Sequence, residues 1–355
     1  MNMKKPLALL LAAGMTLGLA ACGNGSQGNS ESPAPGGETG GSSTGAVELN
    51  LWAFNIGGFT DASNWDSIIA AFNEQNPDVK ITVTPINYQD GDQKLTNAIT
   101  SGTGPDIIFE GPERIVGNYA REGLMVDLSD LWENGGSDIP EGISSVSQLD
   151  GTSYLANSEN NVKALKLLQD MVNNGSMSAN ASFAAADELQ AFANQTCAVS
   201  FCWNYSNYTQ YAEQTQFTPF AMAFPSDDGK PELEMAGPYG FGVFNNKDEA
   251  KIEAAKKFVQ FVCDDQTTGI EAVKTTGFFP VHADWGDVYA GDADAETRAP
   301  FALMSDYLGR YYNLTGGWTE QRGYWWPMLA EIMTTGADVQ TAADNFVQQA
   351  NANIG

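Results

Sequence analysis

His282 is the only histidine in the chain, and it narrows the chemistry these residues can do. No Ser-His-Asp relay is credible around a single histidine. Cysteines stand at Cys22, Cys197, Cys202 and Cys263, with no Cys-x-x-Cys pair, so a zinc site of the usual Cys/His kind is not expected. Cys197 and Cys202 flank a predicted strand, where a bridge across five residues is geometrically awkward. The three cysteines beyond Cys22 read as small apolar residues. Asp227-Asp228 and Asp264-Asp265 lie beside turn or helix-end signals and read as solvated, not as catalytic carboxylates set roughly 5–9.5 Å apart across a cleft. Asp292, Asp294 and Glu296 lack the glycine and distal glutamate of an EF-hand loop. Tyr311-Tyr312 offers phenolate ligands to a ferric ion, but adjacent tyrosines are common in helices. No enzyme, cofactor or metal is expected. What the chain does supply is ring surface: eight Trp, 12 Tyr and 18 Phe.

The charge balance excludes other classes. Lys plus Arg is 17 and Asp plus Glu is 44, a formal net charge of −27. Nucleic-acid binding needs a Lys/Arg face that releases counterions from phosphate, and docking on anionic lipid needs a polybasic patch. Uncharged ligands or cations suit this field better than anions.

The elements that must position these side chains follow from periodicity. Val47 to Phe54 alternates apolar and polar residues and reads as a strand. Trp65, Ile68, Ile69 and Phe72 recur at helical spacing, and Asn76-Pro77 stops that helix. Val79 to Ile86 is a second strand with Ile81 and Val83 on one face. Asp90 to Ser101 is a helix turning Leu95, Ala98 and Ile99 inward. Asp106 to Phe109 is a short buried strand, and Glu113 to Glu122 is helical up to Gly123. Strands alternating with helices predict an α/β fold with a mainly parallel, helix-covered sheet. Ligands of such sheets sit off the carboxyl ends of the strands, here just after Phe54 and Phe109. Farther on, a helix carries Val162, Leu165, Leu168 and Val172 and ends at Gly175. Ala198 to Trp203 and Tyr239 to Phe244 are predicted strands. Helices follow at Glu249 to Cys263, Tyr324 to Thr334 and Val339 to Asn353.

The amino terminus reads as an address. Lys4 and Lys5 precede an uncharged apolar run, Leu7 to Leu19, too short to span a bilayer comfortably. The run ends in Leu19-Ala20-Ala21-Cys22, which resembles a bacterial lipobox with cleavage before Cys22 and lipid on its thiol. Residues 1–21 are then a signal peptide. From Gly23 to Gly45, eight Gly, five Ser and two Pro stand among 23 residues without a large apolar side chain. Such a segment cannot fold alone and acts as a tether of roughly 25 Å root-mean-square span. The expected location is the extracellular face of a cell membrane, on a Gram-positive surface or, in a Gram-negative cell, the periplasm.

The run from Leu49 to Leu131 resembles the family 1 extracellular solute-binding proteins of ABC importers, the group of maltose- and multiple-sugar-binding lipoproteins. The resemblance rests on Phe72 with Asn76-Pro77, Lys94-Leu95, and Gly102 to Asp106 before a strand. It continues in Gly240-Phe241-Gly242, Ala254 to Phe258, Phe279-Pro280, Trp325, Gly336 and Ala342 to Asn351. One departure stands out: after Tyr154 the chain goes straight to Asn157-Ser158-Glu159, so the resemblance implies an absent internal segment after about residue 155.

This resemblance implies a two-lobe, type II periplasmic-binding-protein-like fold with a reduced second lobe. The first lobe would hold residues 46–155 plus about 243–300, the second about 156–242 plus 301–355. It implies capture of a mono- or oligosaccharide between the lobes and delivery to the transmembrane permease subunits, with no bond chemistry. The partners implied are the sugar, the permease and, through Cys22, the membrane; nucleic acid is excluded and the protein is expected as a monomer. Rings pack on the apolar face of a pyranose, while carboxylates, amides and Arg hold its hydroxyls. Matched to the maltose-binding pattern, Glu113 and Arg114 fall on a carboxylate–arginine pair holding hydroxyls, and Trp203 and Trp325 on stacking rings. Glu110 stands where that relative has an aromatic residue. Phe54 and Asn55 end the first strand at the rim, and Tyr239 in Gly237-Pro238-Tyr239-Gly240 is a further candidate. The competing readings are core packing for Trp203 and for one of Trp325-Trp326, a helix-start charge pair for Glu113-Arg114, and turn filling for Tyr239. A decayed or non-transport surface lipoprotein of the same fold, an adhesin or sensor, is the alternative function.

Overall fold

The computed structural model describes residues 45–139, 143, 153–179, 185–201, 203–211, 213–222, 238–302, 304, 315–352 and 354. Cys22, Cys202, Asp227-Asp228 and Tyr311-Tyr312 lie outside these. The first elements are β1 (Val47–Phe54), α1 (Asp66–Gln75), β2 (Val79–Ile86), α2 (Gly91–Thr100) and β3 (Ile107–Glu110). A short helix, Pro112–Arg114, runs into a wider π-type turn, Ile115–Ala120. Then come α3 (Ser129–Gly135), α4 (Glu159–Asn173), α5 (Ala185–Ala193), α6 (Tyr205–Gln210), β4 (Gly240–Val243), α7 (Glu249–Asp264) and α8 (Gln266–Thr276). The last helices are α9 (Ala295–Ala302), α10 (Trp318–Thr335) and α11 (Val339–Asn351).

The strand order is β2-β1-β3-β4. β1 pairs in parallel with β2, from Val47 opposite Val79 to Phe54 opposite Ile86, and with β3, Leu51 opposite Ile107. β4 closes the sheet antiparallel to β3, Glu110 opposite Gly240. β1 turns Leu49, Leu51 and Ala53 into the core and leaves Glu48 and Asn50 exposed, while β3 is buried along its whole length, as a helix-covered parallel strand is. Ile68 and Phe72 of α1 and Ala255, Phe258 and Val262 of α7 bury against Leu49, Leu51 and Ile107. Phe72 meets Phe258 edge-on at 5.3 Å.

Asp106 explains the Gly-x-x-Pro-Asp motif. Its buried carboxylate accepts the Asn50 amide of β1 at 2.8 Å, the Asn246 side-chain amide at 2.7 Å and Lys251 Nζ of α7 at 3.2 Å. Gly57 and Gly58, just past β1, approach the end of α8. Gly57 has φ +55°, and a Cβ there would lie 2.0 Å from the Thr276 carbonyl oxygen.

A second apolar cluster is helical. Val162 and Leu165 of α4 pack with Met328 and Ile332 of α10 and with Ala343 and Phe346 of α11. Gln169 donates to the Ile332 and Ala337 carbonyls at 3.1 and 2.9 Å, satisfying groups left open where α10 ends.

Two expectations need correction. Ala198 to Trp203 forms no strand among its described residues. Val199 and Phe201 are 64% and 73% exposed, and the Phe201 amide donates to Glu188 Oε1 at 2.8 Å instead of to a ladder. A strand needs a neighbouring edge, and among the described residues this stretch pairs with neither outer edge of the β2-β1-β3-β4 sheet. The final helical hairpin begins at Trp318, before Tyr324, because Gly317 at φ +69° turns the chain into α10. Among the described residues no helix is long and apolar enough to cross a membrane.

Candidate functional site

Three strand ends and the start of a fourth converge. Phe54 ends β1, Tyr88 follows β2 by two residues, Glu110 ends β3, and Tyr239 precedes β4. This is the carboxyl edge of the parallel strands, where side chains are held on rigid backbone. Pro112 follows directly and suits the first helical position, where its missing N–H is not needed. The turn then brings Glu113 and Arg114 back against Glu110.

Arg114 is the hub. Its Nε and Nη2 donate to the two Asp92 oxygens at 2.7 and 3.0 Å. Its Nη1 donates to Glu110 Oε1 at 2.8 Å and Glu113 Oε1 at 3.3 Å. The guanidinium also lies 4.9 Å from the Phe54 ring centroid and 5.4 Å from that of Tyr88. Glu110 and Arg114 are buried, so a three-carboxylate group shares one cation in a poor solvent for charge. Burial, with Glu113 adding to it, lifts the Glu110 carboxyl to about 7; Arg114, the Gly111 amide and the Tyr88 hydroxyl act the other way. Burial works against the Arg114 charge, but the Asp92 hydrogen bonds and Glu110 hold it protonated. Burial also raises the hydroxyls of Tyr88 and Tyr239, with Glu110 adding to both.

A cavity of about 2600 Å³ opens beside this group. Glu110, Trp203 and Tyr239 line it, together with Trp132, Phe201 and Phe220. Phe54, Asn55, Glu113, Arg114 and Trp325 are not in its lining. Trp203 sits 4.9 Å from the Phe192 ring and 5.8 Å from Tyr211. Its indole N–H is buried and, among the described residues, has no acceptor. Asn55 donates its backbone amide to the Ile86 carbonyl at 2.9 Å and keeps a buried side-chain oxygen that, among the described residues, has no donor. Trp325 packs edge-on against Phe346, 5.2 Å away, in the second cluster, while Trp326 is 49% exposed.

A sequence model of the family described as bacterial extracellular solute-binding protein matches residues 57–268, more than half of the chain. The chain belongs to that family. It is similar to the diacetylchitobiose binding protein DasA of Streptomyces coelicolor, with 29% identity over 153 residues, 43% of this chain. That match spans only 34% of the relative's length. The fold is shared with solved structures. A putative oligosaccharide periplasmic-binding protein from Synechococcus sp. MITs9220 matches at TM-score 0.68 and 13% identity, covering 86% of this chain and 98% of that one. Maltose-binding periplasmic protein MalE from Listeria monocytogenes, in complex with maltose, matches at TM-score 0.61 and 14% identity, covering 86% and 97%.

Tyr88 and Asp92 are members of this candidate cluster that sequence reasoning missed. The available signal was position: Tyr88 follows the second parallel strand as Asn55 follows the first. The acidic run near residue 292 is engaged elsewhere. Asp292 pairs with Lys274 at 2.9 Å, and Asp294 pairs with Arg298 at 2.8 Å and accepts the Tyr205 hydroxyl. Cys197 and Cys263 are free thiols, and burial pushes Cys263 up to about 12, which keeps it inert.

Proposed function

We propose that this chain is the carbohydrate-binding component of an ABC importer, capturing a mono- or oligosaccharide and passing it to a membrane permease. The observation that carries this reading is the composition of the cavity wall: the Tyr239, Trp203 and Trp132 rings line one space, with Glu110 in its wall. Rings cover the apolar face of a pyranose, and the few polar groups set among them orient its hydroxyls. A space of about 2600 Å³ exceeds the roughly 300–1,000 Å³ of common small-ligand pockets and favours more than one sugar unit. The names of DasA and of the maltose complex make amino-sugar and glucose oligomers the first ligands to try.

In this reading the sheet-based core is the first lobe and the helical cluster around Phe346 belongs to a reduced second lobe. Arg114 acts as a positioning residue for Glu110. A lipid on Cys22 holds the protein, as a monomer, at the extracellular face of the membrane, in a Gram-positive cell by preference. The chain performs no bond chemistry.

Calorimetric titration with chitobiose, maltose and longer oligomers tests the assignment. Saturable heat with one of them supports it. A response to amino acids alone overturns it. Silence toward every sugar favours the second reading, a non-transport surface lipoprotein of the same fold. The exposed Phe201, Phe220 and Met222, at 73%, 81% and 69%, are the feature on its side.

A further inference from the structure

We propose that Asp138, His282 and Asp284 form a binding site for a divalent transition cation of the zinc class. The sequence reading assigns no metal ligands; the fold supplies the juxtaposition. Asp138 lies three residues past α3, and His282 and Asp284 lie on the turn that follows α8. His282 Nδ1 and Asp138 Oδ1 are 2.7 Å apart, and the Asp284 amide donates to the other Asp138 oxygen at 3.4 Å. One ligating atom from each of the three side chains falls within 4.8 Å of the others.

The imidazole is fixed before any ion arrives. His282 is only 7% exposed, and its ring stacks on Trp285 at 4.6 Å and 18°. That contact leaves Nδ1 aimed at the two carboxylates. Tetrahedral zinc ligands at ~2.0–2.1 Å stand roughly 3.3 Å from one another. Side-chain rotation brings these three groups to that spacing with little backbone movement.

Donor chemistry selects the ion. One imidazole nitrogen with two carboxylate oxygens suits zinc, cobalt or nickel, whereas calcium and magnesium prefer oxygen alone. Among the described residues neither carboxyl has a Lys or Arg partner. Asp284 is exposed, which gives the ion an entry route and leaves coordination positions for water. Gly136, Ile139, Val281, His282 and Trp285 all line the cavity described above. A bound ion would therefore tie two stretches of the cavity wall that are 144 residues apart in sequence. The site is independent of which solute the cavity takes.

Because His282 is the chain's only histidine, its ring can be watched without assignment. The full chain is prepared without a histidine tag, stripped with chelator and labelled with ¹⁵N at the imidazole. Zinc is expected to move the single imidazole signal and to saturate it near one equivalent, with a rise in Tm. Calcium is expected to leave the signal in place. His282→Gln and Asp138→Asn should each lower the calorimetric zinc affinity at least tenfold while circular dichroism stays unchanged. An imidazole signal unmoved by zinc in the wild-type chain overturns the proposal, whatever the variants do. So does zinc uptake that survives His282→Gln, and a response to calcium equal to that to zinc overturns the choice of ion.

Discussion

Arg114 grips Asp92 with two prongs, Nε to Oδ1 at 2.7 Å and Nη2 to Oδ2 at 3.0 Å, across 22 residues of sequence. The pair ties the first turn of α2 to the turn after β3, and it leaves Nη1 for Glu110 and Glu113. Arg114→Ala would leave buried carboxylates without their cation. Breaking one side of a buried pair typically costs about 3–5 kcal/mol. The expected result is that loss in urea unfolding, with Arg114→Lys recovering only part because an ammonium cannot reproduce the fork. Unchanged stability in Arg114→Ala would show that the network is not buried as described.

Glu110 sets a pH dependence of stability. Its carboxyl is lifted from the usual 4.5 to about 7 by burial and by Glu113. Between those values the folded chain holds a proton that the unfolded chain releases, so this group's contribution falls as pH rises through that window. At ~1.4 kcal/mol per unit the loss is on the order of 3 kcal/mol. Glu110→Gln removes the titration. The wild type should match the variant near pH 4.5 and fall below it by pH 8, read as Tm at each pH. A constant gap across that range would contradict the shift.

Gly57 allows no side chain. Its φ of +55° and the 2.0 Å approach to the Thr276 carbonyl both exclude a Cβ. Gly57→Ala should lower stability by about 2–4 kcal/mol through strain and displacement of the α8 end. Gly102→Ala shares the positive φ, +74°, without any neighbour, and should cost less, about 1 kcal/mol. Chemical denaturation of the two variants side by side decides it.

Trp203 is the ring expected to hold ligand. Trp203→Ala should weaken sugar binding by roughly 1–3 kcal/mol. Trp325→Ala should act chiefly on stability, because Trp325 packs on Phe346 in the second cluster. The contrast is read by calorimetric titration and thermal melting of the same two proteins.

Cys22→Ala tests the anchor. The variant should appear in the soluble fraction or remain unprocessed after cell fractionation. Processed, membrane-bound variant would contradict the lipobox reading.

The first core was legible because each of its elements buries one face. Leu49, Leu51, Ile68, Phe72 and Leu95 sat where period-two and period-three-to-four patterns put them, and all are buried. Gly123 and Gly175 each take positive φ where helices end. The strand expected around Val199 failed for the opposite reason. Alternation shows that a segment could pair, but not whether the fold brings it beside an open edge. In the site, Glu110 was flagged by its place after a strand. Asp92 was not, since a carboxylate in a helix's first turn looks the same in sequence whether it faces water or Arg114. The meeting of His282 with Asp138 was equally invisible, because no local pattern joins residues so far apart.

The Asp106 anchor has a consequence for the order in which the chain can mature. Its partners come from β1, from Asn246 and from Lys251, and the sheet's fourth strand also belongs to that late stretch. A ribosome delivers residues 47–131 long before residue 240. Until β4 and α7 emerge, Phe72 has no Phe258 to meet and β3 keeps an open edge. Residues 47–131 therefore cannot complete their core until most of the remainder has been synthesised.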